Sequence, residues 1–284
     1  MTSFILSALR LATPLCFAAM GGYFSERAGI INIALEGIIL IGSFAGAAVA
    51  YSTHNPWLGL AAAIAASISF SFLHGLLCLK FKADHVISGL TINFLALGLP
   101  PVICKAFYEM SGGTPSLEIT DRIPQFFGIS PLFLIAIVLV IKISIVHRYT
   151  VFGQYLRFAG EHPKALESQG VSVERVRWLA MLATGICCGF AGAYLSIDHG
   201  GGFTRNMSAG RGYIALAALI IGGWSPFRAA LAALLFGAIE ASQILLQGTT
   251  LSSGQTVPVQ WIQILPFALT LFLLAGFGFK KLSQ

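Results

Sequence analysis

Apolar positions along this chain run on for about twenty residues at a time, the length a helix needs to cross the hydrocarbon layer of a membrane. Runs of that length, or close to it, fall at 4–24, 28–51, 57–79, 85–108, 131–147, 178–198, 212–223, 227–246 and 257–279. The seventh is too short to cross alone and reads as a half-helix or the first arm of a broken hairpin. The pattern therefore predicts an all-α polytopic membrane protein with eight full spans and one partial one. It forms a single transmembrane domain over 1–284, with no stretch left for a soluble catalytic domain.

One long polar interruption stands out between the fifth and sixth runs, at 148–177. Arg157, Glu161, His162, Lys164, Glu167, Glu174, Arg175 and Arg177 make it a charged island that must sit in water on one face of the bilayer. Its interior predicts a short helix. Pro163 suits the first helical position, where its missing N–H is not needed. Gly170 suits the left-handed residue that stops a helix. Ser172 then offers a cap for the next helix, which continues into the apolar run from Trp178. A short helix tied between two spans is a mechanical handle, because a force applied to it from the water side moves both spans.

Composition agrees with the membrane reading. Hydrophobic residues make up 56% of the chain and charged residues 10%, against about 25% charged in average soluble proteins. The net charge of +6 is spread over short loops and forms no basic run that would track a nucleic-acid backbone. With the island facing the cytoplasm, Lys and Arg divide about two to one in favour of that side. That places the N-terminus outside and the C-terminus inside, provided 212–223 and its neighbour count as two passes; the expected location is a bacterial plasma (inner) membrane. Cys16, Cys78, Cys104, Cys187 and Cys188 all lie in apolar runs without metal-ligand spacing and read as small buried hydrophobes. No positive segment with a small-residue cleavage site marks a signal peptide at the N-terminus.

Gly112-Gly113-Thr114-Pro115 and Ile123-Pro124 break a loop over about 109–130, and Gly200-Gly201-Gly202 opens a second on the same side. Both read first as turn chemistry and second as docking surface. A weak internal repeat pairs Ile33–Gly42 with Ile214–Gly223, and the predicted topology runs the two in opposite directions. Inverted repeats are a common transporter construction, with the solute path near their interface.

Two acids, Glu36 and Glu240, lie inside apolar runs, and a carboxylate in hydrocarbon is costly enough to need a cavity or a partner. Asn32 precedes Glu36 by four residues and Gln243 follows Glu240 by three, so a continuous helix would set each pair on one face. Ser88 and Asn93 add polar positions in the fourth run. These six residues are the candidates for a hydrophilic path, and the alternative is polar glue between packed helices. Glu36 or Glu240 would be the proton carrier if the chain were a stand-alone secondary transporter. Enzyme readings lack a constellation. Ile87-Ser88-Gly89 beside His85, and Met207-Ser208-Ala209-Gly210, are poor matches to an intramembrane serine protease, and no His-Glu-x-x-His occurs. Without a phosphate-binding Gly-x-x-x-x-Gly-Lys-Ser/Thr loop, any ATP-driven action needs an ATPase on another chain.

Three blocks carry a family resemblance. They are Ser25-Glu26-Arg27-Ala28-Gly29-Ile30-Ile31-Asn32-Ile33-Ala34-Leu35-Glu36-Gly37, Gly160–Gly170, and Gly210-Arg211-Gly212-Tyr213 through Gly222-Gly223-Trp224-Ser225-Pro226. Together, in this order, they resemble the permease subunits of ABC importers for branched-chain amino acids, simple sugars and nucleosides, closest to the nucleoside and simple-sugar branch. The resemblance implies a cobalamin-importer-like (type II) fold and no cofactor. It also implies three partners: a second permease in a heterodimer, a cytoplasmic ABC ATPase and an extracytoplasmic solute-binding protein. It makes Glu161, Pro163, Ala165, Glu167 and Gly170 part of a coupling helix that docks in the ATPase. Ser168-Gln169 departs from the small or aliphatic residues the family more often has there. The implied solute is a nucleoside, with a simple sugar or riboflavin as the alternative.

Overall fold

A computed structural model gives the structure of the protein and describes residues 2–110, 112–125 and 130–247. It is helical, with ten α-helices among the described residues: α1 Thr2–Arg27, α2 Leu35–Thr53, α3 Pro56–Gly75, α4 His85–Tyr108, α5 Pro131–Tyr149, α6 Val151–Glu161, α7 Pro163–Ser168, α8 Val173–Ala193, α9 Arg211–Ile221 and α10 Pro226–Leu246. Wide π-helical turns extend α3 over Leu76–Lys80 and α8 over Tyr194–Gly200. Seven of these segments are long and apolar enough to cross a membrane, and α9 is the short one. The predicted runs at 85–108, 131–147 and 227–246 match α4, α5 and α10 to within two residues. The predicted eighth full span, 257–279, lies outside the described residues.

Helix entries follow local chemistry. Asn55 accepts from the N–H groups of Trp57 (2.9 Å) and Leu58 (3.3 Å) ahead of Pro56. Asp84 accepts from Val86 (2.9 Å) and Ile87 (3.0 Å), and Ser130 accepts from Leu132 (3.1 Å) ahead of Pro131. Each side-chain cap takes up N–H groups that the first turn leaves without an intrahelical partner, a need that is acute away from water.

The sequence pattern differs from the structure at two places. A helix over 28–51 does not form from residue 28: α2 starts at Leu35, and Asn32 stands outside it. Gly29 takes φ +84°, and the Asn32 backbone N–H is drawn to Glu26 Oε1 at 3.0 Å while its side-chain amide donates to Ser25 Oγ at 3.1 Å. These bonds hold 28–34 as an irregular, partly buried turn, so Asn32 and Glu36 do not share a helix face. The island also holds a helix that the apolar runs do not reveal, α6. Thr150 caps it by accepting from Gly153 N at 3.2 Å, and Gly153, Leu156 and Ala159 form its buried side.

α1 is the central helix. Its residues from Ala12 to Ser25 are all buried, between α8 on one side and α10 on the other. A second unit joins α2, α3 and α8. Lipid supplies no hydrophobic drive between helices, so close contact of small residues does much of the work. A Cβ on Gly185 would stand 2.5 Å from Ile68 Cα, one on Gly189 2.5 Å from Ile64 Cα, and one on Gly192 2.6 Å from Ser43 N. These three backbones are in direct contact.

The two loops opposite the island are stitched together. Thr114 N donates to Phe203 O (3.0 Å), Leu117 N to Gly201 O (2.9 Å) and Arg205 N to Gly112 O (2.8 Å). The turn-forming glycines thus let one loop run along the other.

Candidate functional site

The handle predicted in the island is built as a short exposed helix on a buried root. Pro163 opens α7, and Leu166 is its buried anchor. Glu161, Lys164, Ala165, Glu167 and Gly170 are exposed, with Pro163 half-buried. At its end Gly170 N donates to Glu167 O (2.9 Å) and Val171 N to Leu166 O (3.3 Å), with Gly170 at φ +76°. That is the paired closure of a Schellman cap, which favours glycine at the left-handed position. Ser172 then caps α8 by accepting from Arg175 N at 3.4 Å.

The root of the handle is tied to three other parts of the chain. Arg27, the last residue of α1, donates to Glu161 Oε1 at 2.7 Å and to the Trp224 carbonyl at 3.2 Å. Trp224 lies in the α9–α10 turn and donates through Nε1 to Glu26 Oε2 at 3.4 Å. Arg177, in the first turns of α8, donates to the carbonyls of Ala28 (3.0 Å) and Ala159 (3.1 Å). Gly160 is pressed against α1: a Cβ there would stand 2.4 Å from Arg27 O and 3.1 Å from Gly29 N. The ends of α1, α6, α8 and α9 therefore meet in one knot directly beneath α7. Glu161, expected as a docking residue, points its carboxylate into this knot.

A second polar assembly lies inside the apolar body. Glu36, 6% exposed, accepts from Gly210 N through Oε1 and from Gly212 N through Oε2, both at 2.7 Å. It thereby caps α9 from the first turn of α2. Asn93 on α4 completes the joint. Its Oδ1 accepts from Gly37 N (2.8 Å), and its amide donates to Ile33 O (3.0 Å) and Tyr213 Oη (2.9 Å). The positive ends of two helix dipoles thus converge on one carboxylate. A Cβ on Gly212 would stand 2.4 Å from Glu36 N, so the two helix starts are in backbone contact. From that joint α2 runs toward the face where His54 pairs with Asp121 at 3.0 Å. α9 runs the other way, toward Trp224 and the knot. The repeated segments Ile33–Gly42 and Ile214–Gly223 therefore begin together and diverge to opposite faces.

The remaining predicted residues fall around this joint. Ser88 pairs with His74 Nδ1 at 2.9 Å, and His74 Nε2 donates to Ile31 O at 3.4 Å. Asn32, itself buried, sits in the 28–34 turn. Glu240 on α10 is salt-bridged to Arg211 at 2.5 Å, the two side chains being 23% and 18% exposed. Gln243 is one turn further on, on the buried side of α10.

The family model described as "Branched-chain amino acid transport system / permease component" matches residues 4–274. The chain belongs to this permease family. Similar proteins include the guanosine ABC transporter permease protein NupQ of Bacillus subtilis (strain 168), 34% identical over 94% of this chain and 89% of that one. The nucleoside ABC transporter permease protein NupC of Lactococcus lactis subsp. cremoris (strain MG1363) is 32% identical over 98% and 93%. NupP of the same Bacillus, also a guanosine ABC transporter permease protein, is 28% identical over 96% and 81%. Among solved structures, an ABC transporter in an inward-facing conformation matches with a TM-score of 0.53 at 14% identity, covering 96% of this chain and 85% of that one. That likeness carries the type II permease fold.

Residue types alone do not reveal which side chains hold this permease together. Arg27, Gly160 and Trp224 lie inside the recognised blocks and Arg177 lies a few residues beyond one, yet no spacing rule joins them, because each has a partner more than a hundred residues away. Tyr213 is missed for the same reason. The available signal is a charged or indole side chain at the end of an apolar run, where it can reach the ends of neighbouring helices.

Proposed function

We propose that this permease is the membrane subunit of a binding-protein-dependent ABC importer that carries a nucleoside, with ATP hydrolysed on a partner chain. The observation that carries the reading is the knot beneath α7. A push on the exposed face of α7 reaches α1 through Glu161 and Arg27, α8 through Arg177, and the α9–α10 turn through Trp224. A partner ATPase that grips Pro163, Lys164, Ala165 and Glu167 would therefore move four membrane helices at once. The island then faces the cytoplasm, as the Lys and Arg distribution favours, with the N-terminus outside. The nucleoside solute is supported by what NupQ and NupC are named for. A second permease as heterodimer partner is supported by the matches to both NupQ and NupP, two guanosine permeases of one organism. The stitched loops 112–117 and 201–205 would be the face offered to an extracytoplasmic binding protein.

Within the membrane, Asn32, Glu36, Ser88 and Asn93 hold the frame, and the solute passes on the side of α9 and α10 where Arg211, Glu240 and the half-exposed Tyr213 remain accessible. A proton carrier needs a carboxylate oxygen open to water. Both oxygens of Glu36 are occupied by backbone N–H groups, which speaks against a proton-coupled mechanism through that residue. The test is uptake into proteoliposomes holding the complete complex, with a panel of nucleosides, ribose, glucose and riboflavin. Uptake of a nucleoside that requires ATP and survives a protonophore supports the proposal. Uptake that collapses with the protonophore, or proceeds without any ATPase, removes it.

A further inference from the structure

We propose that the groove between α5 and α10 is a binding site for one anionic phospholipid, its headgroup held on the island face by Arg148, which lines the mouth, with Arg228 next to the lining residue Phe227. Two cavities make up this groove. The first, about 420 Å³, lies where both helices leave the membrane next to the island and is lined by Ser144, His147, Arg148 and Tyr149 of α5 with Ser225 and Phe227. The second, about 310 Å³, continues inward between α1, α5 and α10. Its lining includes Phe133, Ile137 and Val140 of α5 with Leu231 and Leu234 of α10, and Thr13 is the one polar residue type among its walls. Ile141 and Phe227 belong to both linings, so the polar mouth opens directly into the apolar trough.

The dimensions and the charge fit one kind of occupant. Arg148 and Phe133 are fifteen residues apart on α5, about 22 Å along a helix, which is the length of an extended acyl chain entering from a headgroup layer. Phe227, Leu231 and Ile141 are all more than half exposed beside that trough, so it is open toward the surrounding lipid. At the mouth, Arg157 lies 3.5 Å from His147 Nε2, and the exposed Arg228 follows Phe227 of the lining. Among the described residues no acidic side chain forms a salt bridge with Arg148, Arg157 or Arg228. Arg148 lies over the Tyr149 ring at 5.6 Å, an exposed aromatic of the kind that anchors at headgroup depth. Positive charge with no acidic partner, aromatic residues at the boundary and an apolar trough below are complementary to a phosphodiester with acyl tails. Basic pockets between helices at a membrane surface recognise such lipids.

The inference does not depend on the solute or on the ATPase, and the test reads lipid alone. The full-length permease in its assembled complex is placed in nanodiscs of mixed phosphatidylglycerol and phosphatidylcholine, with a trace of either lipid carrying a photoreactive group midway along one acyl chain. Phosphatidylglycerol is expected to label peptides covering 133–141 and 227–234 in preference to phosphatidylcholine. The R148Q/R228Q variant should reduce that labelling about 25-fold, a factor of about five for each arginine, while R148K/R228K retains most of it. Equal labelling by both lipids overturns the proposal, as does an unchanged R148Q/R228Q variant. So does loss of labelling to excess inorganic phosphate, which would mark a site for a free anion. Cross-linking of the trough peptides to residues 257–279 in place of lipid would show that the chain fills the groove itself, and that also overturns it.

Discussion

Replacing Gly160 with alanine should pry the handle off the membrane helices. The new Cβ would stand 2.4 Å from the Arg27 carbonyl oxygen and 3.1 Å from Gly29 N. Ordinary contact is nearer 3.4 Å, so α6 must withdraw by about 1 Å. Both neighbours are backbone atoms at the end of α1, held by Arg177 and by the α1 helix itself, so neither yields easily. A withdrawal of that size takes the Arg27–Glu161 contact from 2.7 Å and the Arg177–Ala159 contact from 3.1 Å past hydrogen-bonding range. Forcing an extra carbon into a packed seam costs about 1–3 kcal/mol. At about 2 kcal/mol the balance between seated and unseated α6 shifts about 30-fold. The measurement is solute accumulated per ATP hydrolysed by the complete complex in proteoliposomes. Gly160→Ala should lower that ratio by about tenfold or more while hydrolysis continues. Gly98→Ala, where a Cβ would meet nothing within 4 Å, is the control. A Gly160→Ala complex with the wild-type ratio and an unchanged thermal midpoint would falsify the lever.

Other substitutions probe the remaining contacts. Glu36→Ala leaves the buried Gly212 N–H, and the part-buried Gly210 N–H, without acceptors, at about 1–3 kcal/mol for the first; thermal unfolding in detergent should show a marked drop, and an unchanged midpoint would refute the joint. Gly170→Ala forces a side chain into a left-handed residue surrounded by open space, so stability should fall by about 1 kcal/mol with the uptake-to-hydrolysis ratio preserved. The five native cysteines are all buried, so an impermeant maleimide should give little background. Ser168→Cys should then label from the cytoplasmic side and Ile119→Cys from the outside in oriented vesicles; the reverse pattern would invert the topology. Exchanging Arg27 and Glu161 for alanine singly and together should give a coupling energy of at most about 1 kcal/mol, since Glu161 is half exposed. A value of several kcal/mol would mean that the pair is dry in the assembled complex.

What could be read from residue types follows from the physics of the bilayer. Length and hydrophobicity place α4 and α10 almost to the residue, since nothing but a helix satisfies its backbone there. Pro163, Gly170 and Ser172 define α7 and its exit through local rules that need no tertiary partner. Where partners come from far along the chain, the same reasoning stops. Asn32 and Glu36 have helical spacing, but Glu26 and Ser25 draw the Asn32 backbone and side chain out of any helix. Glu36 reads equally as a path residue or as polar glue until Gly210 and Gly212, 174 and 176 residues away, are placed beside it. α6 is hidden because its apolar side is only three residues wide, set into a charged segment.

The three glycines of α8 carry a consequence for how relatives of this chain can diverge. With backbone lying on backbone at Gly185, Gly189 and Gly192, there is no room for even a methyl group, so α2, α3 and α8 travel as one slab. Any inheritance of a new cargo must be written into the surfaces around that slab, while the slab itself tolerates almost no spelling changes.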